Sequence, residues 1–198
     1  MRASLSERNL GLDGPSAKIV VCIGSPELPQ FGLTDAAWAD LSATCSLIIH
    51  LAWPVNFNIA LSSFETHLRG LQQLLVFSLG RKPEPAVLLF GSSVSVADRV
   101  TSTIIPEAPI RNLDLAAPMG YAQSKLVGQH MVLRAAQAGA RSYVLRIGQV
   151  AGDSIHGVWN EKESVPNMIR SVFFMRALPA VDEVCSSHAS CYQRLTVP

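Results

Sequence analysis

Tyr121 and Lys125 stand four residues apart in Gly120-Tyr-Ala-Gln-Ser-Lys125, at the start of a long helical pattern. That spacing puts both side chains on one helical face. A phenol so placed can pass a proton to or from a substrate oxygen, while a neighbouring ammonium lowers its pKa and holds a ribose hydroxyl. Ser92 and Ser93 follow the apolar run Ala86–Phe90, where a strand is expected to end. In open α/β sheets, ligands collect at the carboxyl ends of the strands, so a serine hydroxyl there can hydrogen-bond a carbonyl oxygen beside the tyrosine. The Tyr-x-x-x-Lys pair alone is weak evidence. A strand-end serine, that helix, and then a strand closing Leu145-Arg-Ile-Gly148 make a far more specific combination.

Strands and helices alternate around these residues. Lys18–Ile23, Ser46–Ala52, Ala86–Phe90 and Ser142–Ile147 read as buried strands. Thr34 is an expected N-cap for a helix over Asp35–Ala43, with Asp35 favourable in the first turn. Ser62 and Glu65 have capping-box spacing ahead of a helix that carries Phe64, Leu68, Leu71 and Leu75 on one stripe. Gly91-Ser92-Ser93 reads as a polar turn, Gly120–Ala138 as a helix with Gly139 as C-cap, and Val165–Met175 as a helix with Pro166 in its first turn. This alternation predicts an α/β fold with a doubly wound parallel sheet. Cys185–Pro198 is polar and aperiodic and reads as an irregular tail.

Composition sets the outer limits. The 198 residues are 48% apolar and 16% charged, with 16 basic side chains against 15 acidic, enough apolar surface for a core. A net charge of +1 gives no basic footprint for nucleic acid. The densest apolar stretch, Leu47–Val55, contains His50 and Pro54 and is far short of the ~20 residues a spanning helix needs. Met1–Pro15 carries Arg2, Glu7, Arg8 and Asp13 without an apolar core, so no secretory signal is read there. Cys22, Cys45, Cys185 and Cys191 show no metal-ligand spacing, even with His188 nearby. Cys22 and Cys45 are expected in the core, and the compartment is expected to be reducing and cytoplasmic.

Taken together, these residues resemble the extended short-chain dehydrogenase/reductases. More narrowly, the chain is similar to the thioester reductase domains (male-sterility-type NAD-binding domains) of fungal non-ribosomal-peptide-synthetase-like and aminoadipate-reductase-like enzymes. The likeness is carried by Ile48-Ile-His-Leu-Ala-Trp-Pro-Val-Asn-Phe57, Gly120-Tyr-Ala-Gln-Ser-Lys125, Leu145-Arg-Ile-Gly-Gln-Val-Ala-Gly-Asp153, Gly157-Val-Trp-Asn160 and Pro166-Asn-Met-Ile-Arg-Ser171. It spans residues 17–183, between an extension over 1–16 and the tail over 184–198. The resemblance implies a Rossmann-like fold and NADPH-dependent reduction of a phosphopantetheine-bound acyl thioester on a carrier protein, giving an aldehyde or an alcohol. It makes Tyr121 the proton donor, Lys125 its electrostatic partner and ribose contact, and Ser93, ahead of Ser92, the residue that orients the carbonyl. His50, Ala52 and Ser92 would line the cofactor, and Gly148, Gln149 and Val150 would run beside the nicotinamide. No metal is implied.

The match has gaps. No G-x-x-G-x-x-G turn follows a strand, and Lys18–Ile23 resembles the family's third strand, so the first two strands are missing and the sheet is expected to be incomplete. Gly24-Ser25-Pro26 stands where relatives carry Gly-Asp-Leu, and His67 stands where many have Asn three residues before the glycine, here Gly70. The reading is a reductase domain truncated at both ends, with impaired dinucleotide binding and an exposed edge on the Ser46–Ala52 strand. Alternatives are a non-catalytic remnant or interaction module, or another extended reductase or epimerase. Trp53 and Trp159 read as core residues or as acyl-pocket walls, His50 as a packed strand histidine, and Arg146 as a phosphate ligand or a structural ion pair.

Overall fold

Three apolar runs lie side by side as a parallel sheet, β1 (Leu47–His50), β2 (Val87–Ser93) and β3 (Ser142–Ile147), in the order β1-β2-β3. The computed structural model describes residues 19–81, 83–102, 104–152, 154–155, 157–176, 179–180 and 193–194. It separates into two units, Val21–Gly148 and Met1–Val20 with Gln149–Pro198.

In the first unit, α1 (Asp35–Thr44) precedes β1, α2 (Glu65–Gly80) joins β1 to β2, and α3 (Gly120–Gln137) joins β2 to β3. Thr34 caps α1 by accepting from Ala37 N at 3.3 Å. The capping-box expectation for α2 fails. Its first turn is preceded by a 3-10 turn at Leu61–Phe64, no side chain caps it, and Glu65 pairs with Arg69 at 2.7 Å instead. Gly139 takes φ 98° after α3, a left-handed conformation that glycine adopts without a Cβ clash.

Alternation along the strands decides what is covered. Leu88 and Phe90 of β2 face Leu71 and Leu75 of α2 and Val132 of α3, forming one core cluster with Trp53 and Phe64. Burial of each such side chain stabilises the fold by about 1.5–3 kcal/mol. Gly128 lets α3 sit close to the sheet, since a Cβ there would lie 2.7 Å from Phe90 Cζ. A second cluster, built around Val96, Ala97, Ile110 and Leu126, anchors the segment between β2 and α3. Residues of opposite parity, among them Leu47, Ile49, Tyr143 and Leu145, are exposed. Arg146 makes no ion pair among the described residues; its guanidinium donates to the carbonyls of Pro106 and Ala108 at 2.8 and 3.2 Å.

Three expectations need correction. Residues 19–23 form no strand and Ile23 is 93% exposed; their β propensity finds no neighbouring ladder among the described residues. Cys22 is therefore exposed, and Cys45 lies half-buried after α1 rather than in the core. Gly91-Ser92-Ser93 is not a turn but the end of β2, paired with Leu145, Arg146 and Ile147.

The second unit contains α4 (Ser164–Met175), with Pro166 in its first turn, and a short antiparallel pair, β4 (Pro179–Ala180) with β5 (Gln193–Arg194). The pair places two residues of the expected irregular tail in a ladder. Trp159 is half-buried and donates through Nε1 to Glu163 at 3.1 Å. No described helix is long and apolar enough to cross a membrane. Met1–Pro15, Lys18, Asp153, Cys185, His188 and Cys191 lie outside the described residues.

Candidate active site

The carboxyl end of β2 and the first two turns of α3 bring Ser93, Tyr121 and Lys125 together. Ser93 closes β2 and caps the following 3-10 turn, its Oγ accepting from Ser95 N at 3.2 Å and from Ser95 Oγ at 2.9 Å. The Tyr121 phenol comes near enough to Ser93 for that hydroxyl to act on its pKa, and its ring meets Phe57 edge-on at 5.2 Å. One turn along, Lys125 is buried and its Nζ donates to the Gly91 carbonyl at 2.5 Å. A Cβ on Gly91 would lie 2.6 Å from Leu51 Cδ2, so the exposed Leu51 side chain would have to shift.

Ser92 and Ser93 part company by strand alternation. Ser92 points into the covered face, where the buried Gln129 amide donates to its Oγ at 2.7 Å. Ser93 is the serine that reaches Tyr121. Gln129 escaped sequence reasoning, although it stands one further turn along the Tyr121–Lys125 face and that periodicity is its signal.

Burial sets the electrostatics. Desolvation raises the Tyr121 phenol above its ordinary 10.0, against a smaller lowering by the Ser93 hydrogen bond. This corrects the expectation that Lys125 lowers it, because the ammonium is turned to Gly91 O and lies 5.8 Å from the ring centroid. Lys125 itself is pushed down to about 8, since burial disfavours its charged form. His50, packed against Trp53 and Phe90, falls from 6.5 to about 4 through burial first, then Lys125 and His67.

The His50 shift predicts acid sensitivity. Between pH 6.5 and 4 the unfolded chain binds a proton at this histidine that the folded chain refuses, so stability falls as pH falls. Between pH 7 and pH 5 the expected loss from His50 is about 2 kcal/mol. Urea unfolding at the two pH values measures it, and His50→Phe should shrink the difference by that amount.

Ala52 lies exposed just past β1, and Gly148 follows β3. Gln149 and Val150 belong to the other unit, where Gln149 Nε2 donates to Glu163 Oε2 at 2.9 Å and to Val150 O at 3.1 Å. Buried His50 Nε2 has no hydrogen-bond partner among the described residues, and Lys125 uses one of its three N–H donors on Gly91 O. A polar atom without a partner and spare ammonium donors beside the phenol fit the ribose–nicotinamide end of a dinucleotide.

The NAD-binding family described as male sterility protein matches residues 3–192 of this sequence. The chain belongs to that family. Among similar proteins, an adenylate-forming reductase of Heterobasidion annosum is 35% identical over 184 residues, covering 90% of this chain and 16% of the relative. A carboxylic acid reductase of Neurospora crassa is 36% identical over 182 residues, covering 90% and 17%. The terminal R domain of the myxalamid PKS-NRPS pathway superposes with TM-score 0.78 at 27% identity, over 91% of this chain and 46% of that one. The reductase domain of a non-ribosomal peptide synthetase from Mycobacterium tuberculosis, at 24% identity and TM-score 0.59, shares the fold. The male-sterility-family chain thus spans about a sixth of those two curated relatives and less than half of the solved R domain, and its parallel sheet is the Rossmann-like sheet of such domains.

Proposed function

We propose that this chain acts in the NADPH-dependent reduction of an acyl thioester carried on phosphopantetheine by a carrier protein, in the cytoplasm. The observation that carries the reading is the Tyr121 phenol placed beside Ser93 at the end of β2, one helical turn from buried Lys125. The reductase names of its relatives support the same chemistry. When bound, the cofactor supplies a hydride to the thioester carbonyl carbon. Ser93 orients the carbonyl, and Tyr121 gives its proton to the oxygen. Cleavage of the C–S bond, with the hydroxyl proton passing to sulfur, then releases the thiol and leaves the aldehyde, which a second NADPH and a further proton would convert to the alcohol. Lys125 and His50 hold the ribose end, with Ala52 lining the cofactor and Gly148 beside the nicotinamide; Ser92, turned into the covered face, does not. Residues 17–183 form the reductase portion.

The test mixes purified chain, NADPH and an acyl-pantetheine thioester and follows the absorbance of the reduced nicotinamide. Thioester-dependent loss of that absorbance, matched by aldehyde or alcohol in the product, is the expected result. No thioester-dependent oxidation would overturn the reading and favour a non-catalytic remnant or interaction module. Oxidation driven by another carbonyl substrate would favour a different extended reductase.

A further inference from the structure

Lys125 presents an ammonium that is 4% exposed, and no carboxylate acts on it among the described residues. A buried charge needs compensation, and here the groups around it are aromatic. Its Nζ lies 4.6 Å from the Trp53 ring centroid, 5.0 Å from that of Phe90 and 5.8 Å from that of Tyr121, while the Gly91 carbonyl takes one N–H. All three rings fall within the ~6 Å over which a ring face attracts a cation, and indole is the strongest of the three ring types. The titratable neighbours are Tyr121 on the same helix and His50 on β1, with His67 of α2 acting on His50. None of them carries a negative charge at neutral pH.

Trp53 does a second thing that Phe90 cannot. Its indole Nε1–H donates to Ser124 Oγ at 3.1 Å, and that hydroxyl donates to the Tyr121 carbonyl at 2.8 Å. Ser124 is fully buried and Trp53 is 8% exposed, so water does not compete strongly for either bond. One side chain therefore touches the ammonium with its face and, through one hydroxyl, the backbone of the turn that carries the phenol.

We propose that Trp53 is the positioning residue of this site: its ring face seats the Lys125 ammonium, and its indole N–H, relayed by Ser124, fixes the first turn of α3 so that Tyr121 meets Ser93. The effect on catalysis rests on the reductase reading above, whereas the seating of Lys125 is measurable without any turnover.

Two variants separate the two jobs. Trp53→Leu removes face and N–H together; Ser124→Ala removes the relay and leaves the ring in place. The titration of Lys125, read by NMR of the isotopically methylated side chain in otherwise native chain, is expected to move down by about one pH unit in Trp53→Leu. It should stay within about 0.3 of wild type in Ser124→Ala. In the thioester assay both variants are expected to lower kcat by about tenfold or more with KM nearly unchanged, because the phenol is displaced but nothing that binds acyl substrate is removed. A Lys125 midpoint that stays or rises in Trp53→Leu overturns the seating, and wild-type kcat in Ser124→Ala overturns the relay. A wild-type chain without turnover would sink the reductase reading, yet the Lys125 titration in Trp53→Leu would still decide the seating. Should Trp53→Leu fail to fold, Trp53→Phe keeps a weaker ring and loses the N–H: it is expected to match Ser124→Ala in kcat and to lower the Lys125 midpoint by about half a pH unit, and a midpoint that stays or rises overturns the seating.

Discussion

Tyr121→Phe is expected to lower thioester-dependent NADPH oxidation by about 100- to 10,000-fold, the range general acids contribute. The change removes one hydroxyl and keeps the ring, so the edge contact with Phe57 remains and folding loses at most one hydrogen bond, to Ser93. That bond is worth about 1 kcal/mol, so the urea midpoint should move little. Burial raises the phenol above 10.0, so at neutral pH it carries its proton, the state that reducing a carbonyl requires. Lys125, pushed down to about 8, remains mostly charged at pH 7 and can serve as the partner cation. Tyr143→Phe is the control, since Tyr143 is exposed on β3 and takes no part in the site. Activity within tenfold of wild type in Tyr121→Phe would remove the phenol from the reaction.

Which parts of this arrangement could be read before any coordinates depended on how local their causes are. Ser142–Ile147 forms β3 at the bounds its apolar run suggests, and Thr34 caps α1 through its own hydroxyl, three residues from the N–H it satisfies. Tyr121 and Lys125 share a face because helical geometry requires it. Non-local causes were invisible. Gly91-Ser92-Ser93 has turn composition, yet pairing with Leu145, Arg146 and Ile147 of a distant strand keeps it extended. Residues 19–23 have strand composition and no ladder among the described residues, so they stay exposed. The same holds inside the site. Trp53 meets Ser124 across 71 positions and Gln129 meets Ser92 across 37, separations over which no periodicity speaks. The gathering of Ser93, Tyr121 and Lys125 at the end of β2 was therefore legible, and the residues that hold them in place were not.

Gly120 gives the sharpest structural test, because the usual sign of a Gly→Ala change reverses there. In a helix, alanine is ordinarily better than glycine by about 0.5–1 kcal/mol, through a smaller loss of chain entropy. Gly80, exposed at the end of α2, has nothing within 4 Å of its absent Cβ, so Gly80→Ala is expected to stabilise the chain by roughly that amount. At Gly120 the added carbon would lie 2.3 Å from Ile59 O, 2.5 Å from Ala60 C and 2.6 Å from Leu61 N. These are backbone atoms, with no rotamer that relieves the overlap, so either the start of α3 or the 59–61 segment must move. Gly120→Ala is therefore expected to cost about 3 kcal/mol, at the upper end of overpacking effects. The displacement falls one residue before Tyr121, so the Ser93 contact should loosen and the remaining folded protein should lose thioester reduction as well. Paired urea titrations of the two alanine variants read both signs. Equal stabilisation at both sites would show that α3 does not pack against residues 59–61 as closely as the backbone distances require.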